Sequence, residues 1–217
     1  MDWEKITLGE ICDRNKGSIQ TGPFGSQLHQ SDYKEVGTPV IMPKDIKDDK
    51  IDISKIARID KNDVARLKKH KLKVGDIIFP RRGEISKRAL IGKREEGWIC
   101  GTGCLKINSG NNLFLSRFLY YYLSQKQITL WIEGQAVGST MLNLNTSILK
   151  SVPIILPKEN EYKLIGSTLS NYDNLIENNN RRITILEEMA EEIYKEWFVR
   201  LRFPNWEETK IEDEIPD

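Results

Sequence analysis

Histidine and cysteine are scarce in this chain of 217 residues: two histidines, His29 and His70, and three cysteines, Cys12, Cys100 and Cys104. Three thiols make no disulfide framework, and Cys100-Gly-Thr-Gly-Cys104 lacks the second ligand pair a zinc site needs. Buried thiols on a strand are the expectation, with no metal bound. No apolar run reaches 18 residues, so no transmembrane helix is expected. Met1-Asp2-Trp3-Glu4 does not open a signal peptide, which makes the cytoplasm the expected compartment. Internal repeats are missing as well.

Signatures of catalysis are equally thin. No glycine is followed at the required distance by Gly-Lys-Ser/Thr, which removes the phosphate loop. The Asn/Asp-Pro-Pro-aromatic signature of amino-methyltransferases and the Gly-x-Ser-x-Gly elbow of hydrolases are both missing. Gly101-Thr-Gly103 is a fragment of a nucleotide-binding fingerprint and reads as strand or turn glycine. Asp76, Glu84 and Lys87 could be imagined as a nuclease cluster, but Glu84-Ile85-Ser86-Lys87 sets acid and base one residue too far apart. The chain is therefore expected to be non-catalytic.

What is present describes a folded protein: 39% hydrophobic and 30% charged residues. The net charge of +1 conceals an uneven distribution. Residues 1–157 hold 25 bases and 17 acids, residues 158–203 seven bases and nine acids, and residues 204–217 one base and six acids, leaving +8, −2 and −5. A basic head suits a polyanionic partner.

The stretch from Glu161 to about Leu201 dominates the pattern. Ile165, Leu169, Tyr172, Ile176, Asn179, Ile183, Leu186, Ala190, Ile193 and Trp197 recur by alternate fours and threes, a heptad seam broken only by Asn179. The spacing predicts a rod roughly 60 Å long, ended by Phe203-Pro204. Such a helix cannot bury its stripe alone, so it requires a second copy, another protein's helix or its own head. Tyr194, Trp197 and Phe198 add aromatic weight typical of interfaces.

The head reads as strand-rich. Trp3 to Ile11 predicts a strand and a turn, Gly17 to Gln27 a loop with an aromatic tip, and Pro39 to Pro43 a buried strand. Asn62 to Lys69 is a short helix, and Leu72 to Pro80 a turn into a buried strand. Ala89 to Gly92, Gly97 to Cys100 and Cys104 to Ile107 are further short strands, the make-up of a small barrel or curled sheet. Leu113 to Leu123 is a helix, Ile128 to Ile132 begins another, and Gly134 to Thr140 is a loop. Asn145 caps one helical turn, and Val152 to Pro157 closes the head as a strand. The fold class is α+β: a strand-rich domain over 1–157, a long coiled-coil helix over 158–203 and an acidic tail over 204–217.

Candidate nucleic-acid contacts sit in the loops. Arg81 and Arg82 follow a buried strand, from which arginine reaches guanine edges or phosphates, and Lys87 and Arg88 come one turn later. Thr21, Gly22, Phe24, Gly25, Ser26 and Gln27, with Ser139, Thr140, Asn143 and Asn145, supply small donors and pliant backbone, and Lys44 adds a cation. Lys68-Lys69-His70-Lys71 could take phosphate but reads first as a solvated helix end.

The order Trp3…Leu8-Gly9-Glu10, Gly22-Pro23-Phe24-Gly25-Ser26, Leu72-x-x-Gly75-Asp76-Ile77, Gly138-Ser139-Thr140, Ile154-x-Leu156-Pro157 and Tyr194-Lys195-Glu196-Trp197-Phe198 resembles the DNA-specificity subunits of type I restriction-modification systems. A Glu-Gln pair common after the closing prolines is Glu161-Tyr162 here. The resemblance implies two target-recognition domains per full-length subunit, each followed by a long helix, of which this chain holds one copy. It implies recognition of a bipartite double-stranded DNA target as a homodimer, with recruitment of an adenine methyltransferase (M) subunit and a restriction/translocase (R) subunit. S-adenosylmethionine, ATP and Mg would then belong to those partners, with none bound by this chain. The alternatives are a truncated or silent specificity cassette and a stand-alone DNA-binding regulator.

Overall fold

The computed structural model describes residues 3–136, 138, 142–202 and 204. Ser139, Thr140 and the acidic tail beyond Pro204 lie outside them. The chain divides into two compact units, Met1–Leu169 and Ser170–Asp217.

β1 (Glu4–Thr7) runs straight into α1 (Leu8–Arg14), where the sequence predicts a turn. The cause is a capping box: Thr7 Oγ1 accepts the Glu10 N–H at 3.3 Å, and the Glu10 carboxylate accepts the Thr7 N–H at 2.8 Å. β2 (Ser18–Thr21) takes the first part of the expected Gly17–Gln27 loop. Short strands β3 (Tyr33–Lys34), β4 (Thr38–Ile41), β5 (Ile46–Lys47), β6 (Lys50–Ile51) and β7 (Ala57–Ile59) lead to α2 (Lys61–Arg66), capped by Asp60. β8 (Ile77–Pro80) is buried along its whole length, as its apolar run predicts. β9 (Ala89–Leu90), β10 (Ile99–Cys100) and β11 (Cys104–Asn108) follow. The remainder is α3 (Leu113–Tyr122), α4 (Lys126–Gln135), α5 (Thr146–Lys150), β12 (Pro153–Leu156) and α6 (Glu159–Tyr194).

Of the expected barrel or curled sheet, the closed barrel is not formed: among the described residues the strands make two open four-stranded sheets and two two-stranded ladders. The antiparallel sheet β2-β11-β8-β9 divides the head, because strand residues alternate between faces. Ile19, Ile77, Phe79, Leu105 and Ile107 pack on one side against residues of α1, α3, α4 and α5. Ile78, Ala89 and Cys104 face the other way and join Ile41 and Cys100 in a second core. The sheet β10-β4-β7-β3 supplies the latter two. All three cysteines are buried, and burial pushes the Cys12 and Cys100 thiols up to about 12.

α6 begins by docking on the head. Glu161 Oε2 accepts both the Lys158 backbone N–H at 3.0 Å and the Trp3 indole N–H at 3.1 Å, while the Tyr162 hydroxyl accepts from the Asn112 amide at 2.9 Å. Gly166 passes so close to α3 that a Cβ there would sit 3.1 Å from Phe114 O and Phe118 N. Ile165, assigned by spacing to the partner seam, is thereby corrected to a head contact: it packs against the main core.

From Leu169 onward the stripe is open. Leu169, Tyr172, Ile176, Ile183, Leu186, Ile193 and Trp197 are 38% to 62% exposed, and Asn179 and Ala190 are exposed too. Leu175, Ile185 and Met189 widen the stripe beyond the strict heptad. A π turn over Lys195–Val199 puts more residues into one revolution, so Trp197 leaves the line of the seam. The rod ends before Phe203-Pro204: Leu201 is left-handed (φ 53°), and the Arg202 N–H closes on Glu196 O at 2.7 Å.

Candidate nucleic-acid interface

Strand direction gathers the loops at one end of the head. β11 runs antiparallel to both β2 and β8, which sets Thr21 opposite Leu105 and Pro80 opposite Cys104. β4 and β10 are parallel, with Ile41 opposite Cys100. The segments leaving these strands are then laced by backbone hydrogen bonds: Gly22 N to Cys104 O at 2.9 Å, Arg81 N to Gly103 O at 2.7 Å, Gly101 N to Ile41 O at 2.9 Å and Leu144 N to Arg81 O at 2.8 Å. Arg82 and Asn143 form an isolated antiparallel bridge. Gly22 is required here, because a Cβ would lie 1.9 Å from Gly101 O.

This convergence brings together several residues far apart in sequence. The Arg81 guanidinium carbon sits 5.9 Å from the centroid of the Phe24 ring, a cation–π pair worth about 0.5–1 kcal/mol at an exposed site. Phe24 itself is 55% exposed. Gly25 and Ser26 form the exposed tip, and Gln27 closes the loop by accepting the Phe24 N–H at 3.2 Å. Thr21 lies at its base, with its carbonyl 3.1 Å from His70 Nδ1. Lys44 is exposed beside Pro43, which packs against Gly103.

Three buried polar atoms around this cluster have no protein partner among the described residues: Arg81 Nε, Thr102 Oγ1 and Asn143 Oδ1. Each such atom costs about 1–3 kcal/mol, and Arg88 Nε is a fourth on the same head. Thr102 was not among the sequence candidates. Its signal in the sequence is the glycine-flanked Gly101-Thr-Gly103.

Other candidates have different employment. Arg88 is 7% exposed, bonds Ser86 O at 3.1 Å and the Asp49 carboxylate at 3.3 Å, and lies over the Tyr120 ring. That corrects its expected role as a DNA contact: it is an internal tie between the β5–β6 turn and α3. Asn145 spends its carboxamide oxygen on the Ile148 N–H at 2.9 Å, as the helix cap that spacing predicts. Lys87 is ion-paired with Glu84. Asp76, the third member of the imagined nuclease cluster, is fully buried, accepts the Lys73 N–H at 2.9 Å and sits 3.8 Å from the Lys106 ammonium. Burial raises its carboxyl and lowers the Lys106 ammonium from their ordinary values. It shares no site with Glu84. Among the described residues no three His, Cys, Asp or Glu side chains gather to hold a metal, and no helix is long and apolar enough to cross a membrane.

The model of the type I restriction modification DNA specificity domain matches residues 1–188. The putative type I restriction enzyme MjaX specificity subunit of Methanocaldococcus jannaschii is 29% identical over 223 residues, covering 100% of this chain and 50% of that protein. The MjaIX specificity subunit of the same organism is 36% identical over 101 residues, 46% of this chain and 23% of its own. Among solved structures, the S subunit of a type I restriction-modification system from M. genitalium superposes with a TM-score of 0.62 at 20% identity, covering 92% of this chain and 46% of that one. The HsdS subunit from Thermoanaerobacter tengcongensis gives 0.53 at 16% identity, over 90% and 44%. The chain spans about half the length of the relatives matched along its whole length.

Proposed function

The chain belongs to the type I restriction-modification DNA specificity family, and from that premise we propose that its head reads a short half-site of duplex DNA while its helix pairs with the helix of a second copy. The observation that carries the reading is the clustering of Arg81, Phe24, Thr102 and Asn143 on converging loops, where three polar atoms have no hydrogen-bond partner among the described residues. An arginine fork and an asparagine carboxamide are the side chains best shaped for base edges, and lysines such as Lys44 hold phosphates. The open stripe from Leu169 to Ile193 supports pairing, since apolar surface of that regularity is stabilised by a facing helix.

Two identical heads related by a two-fold axis meet identical sequences in opposite directions, so the target is two inverted half-sites separated by a spacer. In this reading the chain carries no chemistry. It acts in the cytoplasm, docking an adenine methyltransferase subunit that flips and methylates its base and, through it, an ATP-dependent restriction subunit, with S-adenosylmethionine, ATP and Mg held by those partners. Methylome sequencing after co-expression with the methyltransferase subunit tests this. A bipartite inverted-repeat motif is expected. A contiguous or asymmetric motif overturns the pairing, and no methylation dependent on this chain overturns the reading as a whole.

A further inference from the structure

A concavity lies on the face of the β2-β11-β8-β9 sheet that carries Ser18, Gln20, Lys106 and Asn108, which pair across β2 and β11. It encloses about 620 Å³, and its rim carries Lys16, Lys68, Lys69, Lys71 and Lys73 with Glu96 as the one carboxylate. None of these five lysines is ion-paired among the described residues. Elsewhere on the head, Lys47 and Lys87 have acidic partners.

The rim is held from below by its backbone. Lys106 Nζ donates to Lys71 O at 2.8 Å and to Lys69 O at 3.4 Å, and the Gln20 amide donates to Lys69 O at 2.7 Å. The segment is therefore fixed through its carbonyls, which leaves the rim side chains without a structural task. Crowding like charges on a concave wall is unfavourable for the protein alone and focuses a positive potential into the concavity. Ammonium groups act on phosphate as point charges, without demanding one orientation. Among the described residues no aromatic side chain lines the wall to stack on a base.

We propose that this lysine cleft is a phosphate site, taking backbone phosphates of the duplex that the loop cluster reads. It rests on the reading of the head as a duplex-binding unit. The placement favours the duplex over a free polyphosphate: three residue steps of β2, roughly 10 Å, lead from Ser18 in the cleft to Thr21 at the base of the Phe24 loop. The head as a whole also carries a net charge of +8 over residues 1–157. The cleft adds affinity and register without sequence preference.

The test uses the full-length chain with two probes, inorganic pyrophosphate and duplex DNA of target or random sequence, titrated over a range of salt. Combining Lys68→Gln, Lys69→Gln and Lys71→Gln removes three charges yet keeps the carbonyls that Lys106 and Gln20 hold. The expected result is loss of pyrophosphate binding and at least tenfold weaker binding to random duplex. The slope of log affinity against log salt should flatten by about two to three, near 0.9 for each phosphate released, with preference for the target retained. The matching Lys→Arg set should restore the slope. An unchanged slope on random duplex overturns the proposal, including the case where only pyrophosphate binding is lost. If the unaltered chain does not distinguish target from random duplex while the triple variant still flattens the slope, the loop reading falls and the cleft stands.

Discussion

α3 and the exposed length of α6 are both helices with regular apolar spacing, and they meet opposite fates. In α3, Leu115, Phe118 and Leu119 are at most 5% exposed, packed against strands and neighbouring helices. In α6, Leu175, Ile176 and Leu186 are 56% to 62% exposed. Periodicity reports that a helix has a face to bury. It does not report what covers that face, because the cover comes from elsewhere in the chain or from another molecule. The same contrast recurs after β8. Arg88 turns inward to Asp49, Ser86 and Tyr120, whereas the Arg81 guanidinium lies over the exposed Phe24 ring.

The most forceful test truncates one leucine in each helix. Leu119→Ala should lower the unfolding free energy by about 3 kcal/mol, since a fully buried leucine leaves a cavity. Leu186→Ala should change it by less than about 0.5 kcal/mol at concentrations where the chain is dissociated. Urea titrations of both variants decide it, and equal losses would break the contrast. Next in size, Ile183→Glu with Leu186→Glu should weaken self-association by roughly 2 kcal/mol, about thirtyfold, because charges would be buried in the pairing face. Sedimentation equilibrium measures this; unaltered association would mean that the stripe is not what joins the copies.

The arginine pair gives a finer test. Arg81→Ala should cost about 1 to 2 kcal/mol of discrimination between target and random duplex while leaving thermal stability unchanged. Arg88→Ala should do the reverse, losing stability with discrimination intact. Binding isotherms and melting curves on the two variants check the assignment, and exchanged effects would invert it. The smallest effect belongs to the α1 cap. Backbone and hydroxyl hydrogen bonds from Thr7 hold the Glu10 carboxyl below its ordinary value of 4.5. Its stabilising contribution is thus present above pH 4.5 and fades as acid carries the pH through the lowered folded value. Glu10→Gln should be slightly less stable than the unaltered chain at neutral pH and equal to it in strong acid, as parallel melts across pH would show.

Much of the architecture was legible because it is local. The apolar run of β8, the closing strand β12 and the heptad spacing of α6 all announce themselves within a few residues. α1 was legible too, in Thr7-x-x-Glu10, but the apolar residues around it were read as a strand and turn. β2 has a single strongly apolar residue, Ile19, and exists because β11, more than eighty residues later, offers a ladder. Two-residue strands such as β5 and β6 leave no pattern to read. Of the candidate contacts, Phe24, Arg81 and Asn143 lay in recognisable loops, though only strand direction could show that those loops meet. The inward turn of Arg88 depends on Asp49 and Tyr120, each more than thirty residues away, and the lysine cleft depends on Lys106 reaching two distant carbonyls.

The ladder that zips β1 to β12, Glu4 against Leu156 and Thr7 against Pro153, has a consequence for engineering. A domain whose first and last strands lie side by side enters and leaves its surroundings through one narrow doorway. Such a unit tolerates circular permutation and transplantation when the second cut falls beyond Gly166, because Tyr162, Ile165 and Gly166 at the start of α6 pack on the head. Grafted by that doorway together with the first turns of α6, the head should fold unaided and bring its own loops with it.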